Sequence, residues 1–155
     1  YDYKHQFEEW SNLSPEEKIL IPTPVPPAMS RDDSSTGCCQ IFASTAINAY
    51  NYAINHKFIS GEKIDGSNWK EVEKVWKKLN EDMEYNIEMA TLALIHAAAM
   101  VEISTYTYEY TDIEIEKVLA RYNGTGDAAK LYGEQRKYLY DIFENHNSRR
   151  RLGQA

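Results

Sequence analysis

Beyond residue 37, apolar positions recur at helical spacing along most of the chain. Ile41, Ala43, Ala46, Ile47, Tyr50 and Ile54 fall on one face, which predicts a helix opening just after Gly37. Trp69, Val72, Val75, Trp76 and Leu79 form a second stripe, on a helix whose other face is Lys and Glu. From Ile87 to Val101 the chain is apolar nearly all round, which predicts a long buried central helix, capped by Asn80. Ile115, Val118, Leu119 and Tyr122 mark a further helix, stopped by "NGTG". The last predicted helix runs from Asp127 to Glu144, with Leu131, Tyr132, Leu139, Ile142 and Phe143 directed inward. Between these, "STYTYEYTD" alternates like a strand, but no neighbouring segment offers it a partner, so it reads as an extended loop.

The first third of the chain follows different rules. All five prolines lie there: Pro15, Pro22, Pro24, Pro26 and Pro27. "NLSPEEK" predicts a helix start, with Ser14 as N-cap, Pro15 in the first position, and Glu16 and Glu17 in the positively polarised first turn. "IPTPVPP" cannot continue that helix and reads as an extended arm. The pattern therefore predicts an all-α fold. A short helix and proline-rich arm occupy residues 1–33, a helical core spans 34–146, and a basic tail carrying Arg149, Arg150 and Arg151 closes the chain over 147–155.

With 155 residues, the chain is long enough to bury one core. A formal net charge of −7 argues against a nucleic-acid binder, which needs clustered Lys and Arg. No apolar run is long enough to span a bilayer, and no secretory leader is visible. The chain opens at Tyr1 rather than at Met, which raises the expectation of a fragment, a mature product or an excised domain. Cys38 and Cys39 are the only cysteines, and adjacent residues fit a disulfide poorly. They read first as two small buried apolar residues at a helix start. The four histidines are scattered, so no metal site of ordinary ligand spacing is expected, and no cofactor is called for.

Three stretches depart from plain helix-and-loop grammar. "DDSSTGCCQIFASTAI" sets acids, hydroxyls and one glycine ahead of Gln40, whose amide both donates and accepts. Its plain alternative is a helix start capped by Ser34, Ser35 or Thr36. "ARYNG" is an ordinary C-cap or an exposed Tyr122–Asn123 pair. "LYGEQRKYLYDIF" crowds Tyr132, Tyr138 and Tyr140 on one helix, which suits a sugar face or a helix–helix core equally well.

In order along the chain, these stretches resemble the goose-type lysozymes and soluble lytic transglycosylases, in the versions carried by phages and mobile elements. "STGCCQIFASTAI" is similar to that family's "S-x-x-G-x-x-Q-I-x-x-x-T-A" segment. "EYNIEMATLAL" resembles the "N-I" start of its long central helix, and "LARYNGTGDAAKLYGEQRKYLYDIF" its "A-Y-N-x-G…Y-x-x-x-V-x-x-Y" ending. The resemblance covers about positions 34 to 143. It implies a lysozyme-like domain that cuts peptidoglycan glycan strands between N-acetylmuramic acid and N-acetylglucosamine, as an extracellular or wall-associated monomer. It also implies that Gly37, Gln40, Tyr122, Asn123 and Tyr132 line the substrate, with Gln40, Tyr122 and Asn123 on one groove.

Glycoside hydrolysis needs a protonated carboxyl at the leaving oxygen. The family carries it as a Glu in "E-S" at the end of an apolar helix, and no "E-S" occurs in this chain. Three readings follow. The acid precedes Tyr1; it is Glu17, with Asp33 as secondary acid; or the domain binds glycan, or serves a structural role in a phage or conjugation apparatus, without cleaving. For Glu17 the requirement is burial beside Ile19, Leu20 and Ile21, which would raise its pKa.

Overall fold

The computed structural model describes residues 8–20, 35–107 and 109–152, the last five of these in backbone only. Within them the chain is helical and carries no strand: α1 Pro15–Leu20, α2 Ala43–Asn55, α3 Trp69–Glu81, α4 Met83–Met100, α5 Asp112–Asn123 and α6 Asp127–Leu152. The all-α expectation holds. The arm over 21–34, including Asp33, Ser34 and Ile21, lies outside the described residues. The chain divides into two compact units, Tyr1–Ala93 and Leu94–Ala155.

In the first unit α2 packs against α3. Ala43, Ala46 and Ile47 on α2 and Val72, Val75 and Leu79 on α3 are buried as the periodicity marks. Ala49 and Ala53 are buried as well, and the expected Tyr50, Ile54, Trp69 and Trp76 are only half-buried. Small alanines on one helix facing branched residues on the other let the two backbones approach and interlock. Between them, the 57–68 loop is held by Asn51. Its Nδ2 donates to Ile64 O at 2.8 Å, and its Oδ1 accepts from Ile64 N at 2.9 Å. Asn68 then caps α3 by accepting from Lys70 N.

Two boundaries differ from the sequence expectation. α2 does not open just after Gly37; it starts at Ala43, and residues 36–41 form a tight turn closed by a Thr36–Ile41 antiparallel bridge. None of the hydroxyls before Gly37 can be its cap, because Phe42 holds the N-cap position and makes no side-chain bond. Nor does Asn80 cap α4. It is the penultimate residue of α3, and Asp82 takes the role by accepting from Tyr85 N at 3.0 Å. Both are good cap residues locally. Thr36 decides between them, because its hydroxyl donates to Asn80 Oδ1 at 2.7 Å and occupies that side chain. On α4 itself Met89, Ala90, Leu92, Ala93, Ala97 and Ala98 are buried, while Ile87 and Met100 are about half exposed at 49% and 52%.

In the second unit α5 starts with a capping box, Thr111 and Glu114 bonding each other's backbone N–H, and stops at Gly124, whose N–H reaches Ala120 O and Arg121 O. α6 continues past Glu144 to Leu152, so the segment from 147 to 152 is helix rather than tail. The inward face of α6 also differs from the prediction. Leu131, Leu139, Ile142 and Phe143 are exposed, Phe143 by 65%, and Tyr132 is half-buried. The buried line is Ala129, Gly133 and Lys137. The reason is close approach: a Cβ on Gly133 would sit 2.6 Å from Glu116 O and 2.8 Å from Ala120 Cβ on α5. Contact through the smallest residues outweighs the larger apolar stripe one turn-face away.

Lys137 locks this pair. Its ammonium bridges Asp112 at 3.0 Å, on the first turn of α5, and Asp141 at 2.6 Å on its own helix. The hydrogen bond to Asp141 comes first among the causes that hold its pKa above the usual lysine value, with Asp112 adding to it. A raised lysine contributes stability that is complete below the unfolded lysine pKa and is lost as pH climbs through the folded value. Urea titrations from neutral pH to beyond about pH 10.4, the ordinary lysine value, are therefore expected to show a larger loss for the native chain than for Lys137→Met. Equal losses contradict the lock.

Candidate glycan-facing turn

The turn of residues 35–41 is built from backbone conformations that ordinary residues avoid. Gly37 has φ +72° and Gln40 φ +50°, both left-handed. Thr36 N donates to Ile41 O and Ile41 N returns to Thr36 O, at 3.1 and 3.2 Å, while Gln40 N closes the loop on Gly37 O. Gln40 pays into the same turn: its Nε2 donates to Gly37 O at 2.8 Å and its Oε1 accepts from Ser35 Oγ at 3.2 Å. One Nε2 hydrogen and further Oε1 lone-pair capacity are left on an exposed side chain. The sequence expectation put Gln40 at the head of a helix; it stands in the turn, two residues ahead of the helix N-cap.

What fixes the turn is Asn86, on the second turn of α4 and fully buried. Its Nδ2 donates to Thr36 O and to Leu79 O, each at 3.0 Å. Its Oδ1 accepts from Cys39 N at 2.9 Å and from Cys38 Sγ at 3.4 Å. One amide thus uses its full donor set to join the turn, the end of α3 and the start of α4. Gly37 lies flat on it. A Cβ at that position would collide with the Asn86 amide nitrogen and would come within 2.5 Å of Leu79 O. The glycine therefore serves close packing against Asn86 as well as a left-handed φ.

No role for Asn86 was legible in the motif itself. A signal existed, however: Asn86 is in register with Met89, Ala90, Ala93 and Ala97, all buried. A lone amide on a buried apolar line must find hydrogen-bond partners, and so marks a clamp or a ligand site. The cysteines also depart from expectation. Cys38 is exposed and Cys39 partly so, because they sit on a turn and not inside a helix start.

The remaining predicted site residues are distributed as follows. Gly37 and Gln40 belong to the first unit; Tyr122, Asn123 and Tyr132 belong to the second. Tyr122 is half-buried and Asn123 exposed at the end of α5. Tyr132 is half-buried on α6, with the Arg136 guanidinium 4.8 Å from its ring centroid. Glu17 is exposed. Its carboxylate accepts from Ser14 N at 2.8 Å, and its own N–H donates to Ser14 Oγ at 3.2 Å, a capping box. The Ser14 backbone bond, then its side chain, hold the Glu17 carboxyl below the usual range. Ile19 and Leu20, which would have to bury it, are exposed by 78% and 83%. Asp33 lies outside the described residues.

Among the described residues no group of three or more His, Cys, Asp or Glu is arranged to hold a metal, and no helix is long and apolar enough to cross a membrane. No protein-family model, no curated protein and no solved structure matches the chain.

Proposed function

We propose that this chain is a lysozyme-like domain acting on the glycan strands of peptidoglycan at the bacterial wall, with the Gly37–Gln40 turn as part of its sugar-facing surface. One observation carries the reading. The two motifs that bear the family resemblance in the first unit, "STGCCQI" and "YNIEM", are joined by a single buried side chain across 47 positions, Asn86 to Cys39. This contact places the two stretches side by side, as one continuous surface would require. The turn then holds Gln40 in a fixed pose with donor and acceptor capacity facing outward, which suits the hydroxyl and acetamido groups of an amino sugar.

Cleavage needs a carboxyl held neutral near pH 7. The capping bonds of Glu17 stabilise its charged form, the opposite requirement. That geometry argues against Glu17 as the acid and supports the two other readings, an acid that precedes Tyr1 or a domain that binds glycan without turning it over.

Sedimentation with insoluble peptidoglycan tests the function, and muropeptides in the supernatant separate the two readings. The native chain is expected to sediment with the walls. Gln40→Ala is expected to reduce retention about tenfold, the effect of losing ~1.4 kcal/mol of polar contact, and to lower the melting temperature slightly because its bonds to Gly37 O and Ser35 Oγ are lost too. Failure of the native, folded chain to sediment sinks both readings.

A further inference from the structure

Cys38 and Cys39 have no part in the glycan reading, yet they are the chain's only cysteines and both are thiols. Their Sγ atoms stand 3.8 Å apart on the clamped turn, with Cys38 an exposed residue whose thiol also donates to Asn86 Oδ1 and Cys39 partly covered. We propose that this adjacent pair is a dithiol exchange site, which takes up low-molecular-weight disulfides at Cys38 and resolves them at Cys39 into an internal, easily reduced disulfide.

The two sulfurs are not equivalent, and the difference assigns their roles. Cys38 is the one that an incoming disulfide can reach. The Cys39 thiol is held above its ordinary pKa, first by burial and next by the Cys38 thiol beside it, so it is the poorer opening nucleophile. In the first step the Cys38 thiolate attacks one sulfur of the disulfide. The S–S bond of the reagent breaks, one thiol leaves with the Cys38 proton, and a mixed disulfide remains on Cys38. In the second step Cys39 attacks Cys38 Sγ, already in van der Waals contact. The mixed disulfide breaks, the second thiol leaves with the Cys39 proton, and the Cys38–Cys39 bond forms. The reagent is reduced to two thiols, and the protein loses two protons and two electrons.

Proximity makes the second step fast, and adjacency makes its product labile. Neighbouring Cα atoms across a trans peptide are about 3.8 Å apart, short of the roughly 4.4 to 6.8 Å that a relaxed disulfide spans. A strained, exposed disulfide lies at the oxidising, readily reduced end of the scale. Oxidation also withdraws the Cys38 thiol from Asn86 Oδ1, the acceptor that fixes Cys39 N, and so acts on the turn that presents Gln40.

The test treats the folded chain with glutathione disulfide, quenches with acid and reads intact mass. The native chain is expected to lose two hydrogens with little accumulated adduct, and to regain them in dithiothreitol. Cys39→Ser is expected to stop at one glutathionyl adduct on Cys38. Cys38→Ser is expected to react at least tenfold more slowly. Because both serines are near-isosteric and the turn is held mainly by Asn86, circular dichroism checks that each variant is folded before it is compared. Accumulation of the same adduct on the native chain as on Cys39→Ser overturns the resolving role. Reaction only after unfolding in urea, or equal rates for the two serine variants, overturns the site.

Discussion

Gly37→Ala is expected to destabilise the first unit by about 4 kcal/mol. Roughly 1 to 2 kcal/mol of this comes from forcing a residue with a Cβ into the left-handed region. The rest comes from overpacking, which costs about 1–3 kcal/mol in a well-packed site. The new methyl would press on the Asn86 amide and on Leu79 O, and neither can retreat. Asn86 is held at both ends by its own bonds, and Leu79 O belongs to helix α3. Gly126 supplies the control. Its φ is +84°, also left-handed, but a Cβ there would meet nothing within 4 Å. Gly126→Ala should therefore show only the conformational cost, about 1 kcal/mol. Urea unfolding of both variants isolates the packing against Asn86 as the difference. Equal losses from the two substitutions would mean that the turn does not rest on Asn86.

Asn86→Ala is expected to cost about 3 kcal/mol, from buried polar groups that lose a partner at roughly 1–3 kcal/mol each. Cys39 N, Thr36 O and Leu79 O are the groups affected. Thr36 O retains its bond from Ile41 N and so suffers least. The side chain is fully buried, which leaves water no ready route to replace it. Asn86→Asp is the sharper probe. It keeps the shape and the acceptor facing Cys39 N, but turns the donor facing Thr36 O and Leu79 O into a second acceptor. It should be at least as damaging as alanine near neutral pH. Amide exchange at Cys39 and Gln40 is the local readout, since the turn should open before the α2–α3 pair does. Unchanged exchange in Asn86→Ala would show that the turn holds itself through the Thr36–Ile41 bridge alone. Under the proposed function both variants should also lose wall retention, because Gln40 is presented by the same turn.

The helical content, the starts of α1 and α3, and the ends of α5 and α3's buried face were all legible from local rules. Ser14 with Pro15, the Trp69–Leu79 stripe and the "NGTG" stop act through neighbours within one or two turns. Where the reading went astray, two local solutions were close in energy and a distant residue chose. Asn80 and Asp82 are comparable caps for α4, and Thr36, 44 positions away from Asn80, claims the first. The run after Gly37 is apolar enough to be helix from Cys38 onward, yet the Asn86 amide captures Cys39 N and keeps it in a turn.

Helix α6 shows the same division most plainly. The sequence by itself determines that residues from Asp127 onward are helical, through good helix formers without an internal proline. It also carries two possible inward faces, a larger apolar one through Leu131, Leu139 and Ile142, and a smaller one through Ala129, Gly133 and Lys137. Period alone favours the first. The tertiary structure selects the second, because only Gly133 lets the α5 backbone come close at Glu116 and Ala120, and because Lys137 meets Asp112 there. For the candidate site the sequence supplied the residue types, Gly37, Gln40 and an asparagine on an apolar helix face. That these are one hydrogen-bonded unit was decided by the packing of α4 beside the turn, since a buried amide bonds whatever the fold brings within reach, and no local pattern encodes that distance.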